Sequence, residues 1–196
     1  SDLLLPLEPM GIPFDFLQGE GPVIDPPVRS IERINQLRLF EPREALAHVM
    51  DTIRLLGRRL SDRVPLIGFA GAPFTLASYA IEGGPSRNFA RTKALMYREP
   101  TAWHKLADLF ATVVSDYLTA QVQAGVQAVQ LFDSWVGALS PLDYSEFALP
   151  HSQKIFDALR PLDVPTLHFG TGTTTLLPLM RDAGGDVIGL DWRVPL

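Results

Sequence analysis

Four short apolar runs punctuate the chain from Val64 onward: Val64 to Ala70, Val126 to Phe132, Val164 to Phe169 and Asp186 to Leu190. Each is rich in Val, Ile, Leu or Phe and nearly continuous in apolar character, the pattern of parallel strands covered on both faces. Between the runs the spacing becomes helical. Leu106, Leu109, Phe110, Val113, Val114, Tyr117, Leu118 and Val122 recur at the i, i+3, i+4, i+7 intervals of a helix lying on a sheet. Thr101 stands where it can cap that helix and Gly125 where it can stop it. Upstream, Pro42 suits a first helical turn, and Leu46, Val49, Met50, Ile53, Leu56 and Leu60 continue an apolar stripe. Glu41 and Glu44 come early in it and Arg58 and Arg59 late, as the helix dipole prefers. Residues 173 to 183 predict a shorter helix ending at Gly184-Gly185.

Strand and helix in this alternating order predict an α/β fold with a mostly parallel sheet. Periodicity leaves two versions open, a closed (β/α)8 barrel and an open doubly wound sheet. Several strands end in a polar side chain with chemical potential: Asp133 and Ser134, Thr171, Asp191. Both architectures build their sites at those strand ends. The stretch from Gly19 to Ser30, with Pro22, Pro26 and Pro27, reads as a loop within a single domain over residues 1–196.

Composition narrows the chemistry. At 196 residues the length suits one domain with a sizeable core, and there is no cysteine. Disulfides, thiolate nucleophiles and cysteine-containing zinc sites are thereby removed, and a reducing, cytoplasmic setting is expected. The formal charge is −5, with 17 basic and 22 acidic residues. The densest basic cluster is only Arg58, Arg59 and Arg63, so no nucleic-acid footprint is expected. Leu66 to Ile81 is apolar but short and interrupted by Gly68, Gly71 and Pro73, which predicts buried interior rather than a membrane span. No basic residue precedes Leu3-Leu4-Leu5, unlike a signal peptide, and Ser1 in place of Met points to a natural start elsewhere.

The four histidines, His48, His104, His151 and His168, share no ligand-like spacing, so no metal site is expected. His168, beside Phe169 on a strand, reads as a satisfied interior histidine. Gly170-Thr171-Gly172 could cradle an anion at a helix start, but a tight strand-to-helix turn explains it equally well. The richest segment runs from Gly68 to Tyr79 (GFAGAPFTLASY) and on through Glu82-Gly83-Gly84. A strand ends, small residues permit close backbone approach, and Pro73 opens a helix carrying Tyr79.

That segment resembles the signature of the uroporphyrinogen decarboxylase family. Ser1-Asp2-Leu3-Leu4 resembles the end of the family's second strand, and Leu131-Phe132-Asp133-Ser134 its fourth strand with the following serine. Phe147-Ala148-Leu149-Pro150 and Gly189-Leu190-Asp191-Trp192 are also similar, and all of these occur in the family's order. The resemblance implies a (β/α)8 TIM-type barrel, here from the end of strand two through strand six. It implies decarboxylation of the four acetates of uroporphyrinogen III to give coproporphyrinogen III, without cofactor or metal. Asp2 matches the aspartate that faces the pyrrole N–H groups. Tyr79 and Ser134 match positions that contact substrate, and Phe69 with the backbone near Gly71 would shape the cleft wall. Asp191 and Trp192 would be structural. A small-molecule substrate and a homodimer are implied as partners, with no nucleic acid and no membrane.

Two family features are missing from these residues: the Arg-Gln-Ala-Gly-Arg segment after the first strand and the C-terminal Gly-His-Gly segment. Both serve a substrate with eight carboxylates, which needs concentrated positive charge. The 196-residue chain alone is therefore expected to be inactive or to be part of a larger protein. Two rivals remain at this point, a zinc-dependent corrinoid methyltransferase on the same barrel and a non-catalytic tetrapyrrole-binding module.

Overall fold

The computed structural model describes residues 2–17, 21–60 and 63–194. After a 3-10 turn at Leu5–Leu7, β1 (Phe14–Leu17) and β2 (Gly21–Ile24) form an antiparallel pair. Then follow α1 (Ile31–Asn35), α2 (Pro42–Ala45) and α3 (Ala47–Leu60). From there the chain alternates: β3 (Ile67–Gly71), α4 (Pro73–Glu82), α5 (Ala90–Arg98), α6 (Pro100–Ala124) and β4 (Ala128–Asp133). It continues with the single turn α7 (Pro141–Asp143), α8 (Leu149–Leu159), β5 (Thr166–Gly170), α9 (Leu177–Ala183) and β6 (Val187–Gly189).

β3 to β6 form one parallel sheet in chain order, with Ala70 opposite Leu131, Leu131 opposite His168 and His168 opposite Ile188. Sequential parallel strands joined by helices are the repeating unit of a (β/α)8 barrel, and the chain carries part of one. Side chains alternate across the sheet. Gly68, Ala70, Val129, Leu131, Asp133, Thr166 and His168 are buried beneath the helices, whereas Phe69, Phe132 and Phe169 on the opposite face are only partly covered.

The helical layer is organised by α6. Its C-terminus lies where the spacing predicts, with Gly125 at φ 115 closing it in the left-handed region that costs a glycine little. It starts at Pro100, with Glu99 rather than Thr101 at the cap position, because Pro100 pre-sets the first turn. Trp103 is fully buried, and its indole N–H donates to the Phe147 carbonyl at 2.9 Å, tying α6 to the segment before α8. That segment, Tyr144–Ala148, is widened into a π-turn. Pro150 accounts for it: the ring lacks an N–H and would collide with the carbonyl four residues back in a regular helix.

Three sequence expectations change. The helix predicted from Pro42 breaks at Leu46 (φ −118, ψ 34) and resumes as α3. The helix predicted over 173–183 begins only at Leu177, after a turn in which the Leu176 amide bonds to the Thr173 carbonyl. The stretch read as a loop contains β2, whose Ile24 amide donates to the Gly83 carbonyl at 2.9 Å. Pro22, the one proline within β2, is tolerated because β2 lies at the edge of a two-stranded pair. Gly19 and Glu20 lie outside the described residues.

α6 and α8 also join two histidines that are 47 positions apart, with His104 Nδ1 and His151 Nε2 separated by 3.0 Å. Burial, reinforced by His104, pulls the His151 pKa down from its ordinary value to about 4. The folded state thus binds this proton less readily than the unfolded chain does. The stability it contributes is full above the ordinary histidine range and is lost as pH falls from about 6.5 towards 4, by about 2 to 3 kcal/mol. Melting curves of His151→Gln should therefore decline less steeply than wild type between about pH 7 and pH 4.5. Parallel declines would show that His151 is not the titrating group.

Candidate active site

The site grows from the two strand ends that carry the sequence signature. β3 runs into Ala72 and Pro73, and α4 starts at once, so close that a Cβ at Gly71 would lie 2.8 Å from the Leu76 side chain. α4 is buried over most of its circumference, with Tyr79 half-buried. One turn before Tyr79 on the same helix face, Thr75 meets the end of β4. Its hydroxyl donates to Asp133 Oδ1 at 3.1 Å and accepts the Trp135 amide at 3.4 Å. Thr75 and Asp133 are both fully buried. The bond holds α4 against the turn that follows β4, and so brings Tyr79 and Trp135 together.

Their rings meet at 5.9 Å, and Phe89 packs on Trp135 at the same centroid distance. With Pro22 of β2 and Ser78 these side chains enclose a cavity of about 180 Å³. β2 is held over it by Arg29, which donates to the Ile81 and Glu82 carbonyls at 2.8 and 2.9 Å and so caps α4. Glu82 turns the other way, its carboxylate accepting from the Arg91 and Thr92 amides at the start of α5. The Glu82-Gly83-Gly84 part of the signature is thus a helix-to-helix joint, with Gly83 at φ 83.

Asp2 stands outside any strand among the described residues, and Ser1 lies outside them. Its Oδ1 accepts the Leu4 amide at 2.8 Å, turning the chain into the Leu5–Leu7 segment. It lines a groove of about 410 Å³ along the free edge of β3, together with Leu5, His48, Ile53 and Phe69. Gln121 of α6 braces that edge by exchanging hydrogen bonds with the Phe69 backbone at 3.0 and 2.9 Å. The Phe69 ring continues across the sheet as an edge-to-face row, 5.9 Å to Phe132 and 5.5 Å from there to Phe169. Asp2 and Tyr79 are within electrostatic reach of one another. Burial raises the Tyr79 pKa most, a hydrogen bond from Trp135 opposes it, and the Asp2 charge raises it further.

Ser134 is partly covered, and its carbonyl accepts from Thr171 Oγ1 at 2.5 Å. The Gly170-Thr171-Gly172 segment is therefore a turn that braces the Ser134 backbone, with Gly172 held by Asp191 at 3.1 Å. Asp191 is also paired with Arg193, and Trp192 is exposed beneath the Arg193 guanidinium. Among the described residues no group of three or more His, Asp or Glu side chains is arranged to hold a metal ion, and no helix is long and apolar enough to cross a membrane. Sequence reading missed Thr75, Phe89 and Trp135. Trp135 directly follows the flagged Asp133-Ser134 pair, but nothing in its spacing announces Tyr79 as its partner.

Fold and site define the class: an α/β-barrel protein with an aromatic-walled cavity where the helix after β3 meets the end of β4, and a separate groove bearing a carboxylate along the edge of β3. The family description "Uroporphyrinogen decarboxylase (URO-D)" matches residues 1–196, and the chain belongs to that family. It is 56% identical over 196 residues to the uroporphyrinogen decarboxylase of Sorangium cellulosum (strain So ce56), covering 100% of this chain and 56% of the relative. The Carboxydothermus hydrogenoformans protein of the same name is 54% identical with the same coverage, and that of Thermus thermophilus is 52% identical, with 57% of its length covered. The chain thus spans little more than half the length of these curated relatives. Among solved structures, a methyltransferase from Methanosarcina mazei matches with a TM-score of 0.75, over 96% of this chain and 55% of its own. At 18% identity that likeness bears on the fold alone.

Replacing Thr75 by Val removes the hydroxyl and leaves a buried carboxylate oxygen without its donor. Urea unfolding should show a loss of about 2 to 3 kcal/mol, with Thr75→Ser much closer to wild type. Equal losses in the two variants would assign the effect to packing instead.

Proposed function

We propose that the protein carrying this chain decarboxylates the four acetate side chains of uroporphyrinogen III to yield coproporphyrinogen III, the substrate serving as its own electron sink. The reading is carried by family membership at 52 to 56% identity over all 196 residues. Protonating a pyrrole carbon makes the ring an iminium-like cation. The C–CO2 bond then breaks, its electron pair neutralises the ring, and an exocyclic methylene remains. A proton added to that methylene gives the methyl group, and loss of the ring proton restores the pyrrole.

In this reading Asp2 faces the pyrrole N–H groups and favours the positive charge as it develops. Its position on the groove beside Phe69, with its charge helping to raise the Tyr79 pKa, supports that role. Tyr79, protonated throughout the working pH range, donates to Asp2 or to a substrate carboxylate. Ser134 contacts substrate carboxylates from the turn after β4, and Phe69 provides apolar wall. The same reading has the protein working in the cytoplasm as a homodimer.

An anaerobic assay of the full-length protein with uroporphyrinogen III, products oxidised and separated by chromatography, tests the proposal. Coproporphyrin should accumulate, kcat should fall by about two to three orders of magnitude in Asp2→Asn, and KM should rise about tenfold in Tyr79→Phe. Unimpaired turnover by Asp2→Asn would remove the aspartate from the mechanism. Porphyrinogen binding without any decarboxylation would favour a non-catalytic binding module.

A further inference from the structure

Beneath the cleft wall lies a polar cluster that the proposed chemistry does not use. His168 on β5 and Asp133 on β4 are both fully buried, with His168 Nε2 3.8 Å from Asp133 Oδ2. They are diagonal neighbours on the helix-covered face, since Leu131 is opposite His168 and Asp133 is opposite Gly170. Thr75 serves Asp133 Oδ1, but among the described residues Asp133 Oδ2 and both nitrogens of His168 have no hydrogen-bond partner. The Tyr144 hydroxyl is likewise buried without one, and burial together with the Asp133 charge pushes its pKa up. The Phe156 ring covers His168 at 5.1 Å.

A desolvated carboxylate satisfied on one oxygen only is costly. Closing 3.8 Å to hydrogen-bond distance takes less than 1 Å of side-chain movement, by the usual upper limit of about 3.2 Å for N–H···O. We propose that His168 is a positioning residue for the cleft, acting through Asp133. By donating to Oδ2 it keeps Oδ1 turned to Thr75, and Thr75 in turn holds the Trp135 amide. The orientation of the Ser134-Trp135 turn, and with it the Tyr79–Trp135 wall, is therefore set from the layer between sheet and helices. The functional half of this inference rests on the cleft being the substrate site; the geometric half does not.

The test compares His168→Gln, which returns a donor near the Nε2 position, with His168→Leu, which preserves bulk without one. Both are made in the full-length protein with 15N-labelled tryptophan, the Trp135 indole resonance being assigned through Trp135→Phe. His168→Leu should shift or broaden that resonance and raise KM for uroporphyrinogen III about tenfold with kcat changed by less than about twofold, while His168→Gln stays near wild type. Asp133→Asn combined with His168→Leu removes the buried charge together with its partner and should return the resonance towards its wild-type position. If His168→Leu alone does not fold, folding of that double variant supports the pair and its failure overturns it. An unchanged Trp135 resonance in His168→Leu, or equal damage from Gln and Leu, would also overturn it. The resonance is read whether or not the protein turns over substrate, so failure of the decarboxylase reading is seen separately.

Discussion

The hydrogen bond from Thr75 to Asp133 joins the two parts of the chain on which the candidate site depends. It spans 58 positions, lies wholly out of water and links the helix after β3 to the end of β4. Parallel strands cannot be joined by short turns, so neighbouring strand ends are brought together only by what packs over their connections. Here α4 must sit close against the sheet. The signature supplies small residues at the turn (Gly71, Ala72), a proline that starts the helix at once, and a hydroxyl on the turn of α4 that meets β4. Everything on the cleft side of that contact, the Tyr79–Trp135 edge contact and the Phe89 ring behind it, follows from the bond being made.

Much of the frame was legible because it is periodic. The four parallel strands coincide with the four apolar runs to within a few residues, and the long helix ends at the predicted glycine. Periodicity failed where local backbone chemistry dominates. The break at Leu46 and the late start at Leu177 leave the apolar stripes intact, and β2, only four residues opening on Gly21-Pro22, carries no strand signal of its own. The choice between barrel and open sheet was invisible to spacing, and family resemblance supplied it. Parallel strands paired in strict chain order agree with the barrel.

The candidate site was legible only residue by residue. Asp2, Tyr79, Ser134 and Phe69 could be named from matched segments, but no sequence spacing states that Asp2 and Phe69 line one groove while Tyr79 and Trp135 enclose another. Pairs such as His104 with His151 and Asp133 with His168 belong to the same class of hidden information. Each is made by side chains on separate elements, far apart in sequence and brought together only by packing. By its sequence surroundings His168 is expected to be a satisfied interior histidine. It is interior, but among the described residues its ion-pair contact is with Asp133 alone, and that contact is longer than a hydrogen bond.

In the proposed reading the reacting tetrapyrrole sits at the C-terminal ends of β3 and β4, between the Asp2 groove and the Tyr79–Trp135 wall. A crystal structure of the full-length protein with coproporphyrinogen III bound tests that placement most directly. Pyrrole nitrogens should lie within hydrogen-bond distance of the Asp2 carboxylate, with Tyr79 and Ser134 among the groups touching the ligand. A tetrapyrrole seated elsewhere, for instance in the cavity of about 540 Å³ near Arg160, Asp163 and Gly185 at the opposite ends of the strands, would contradict it.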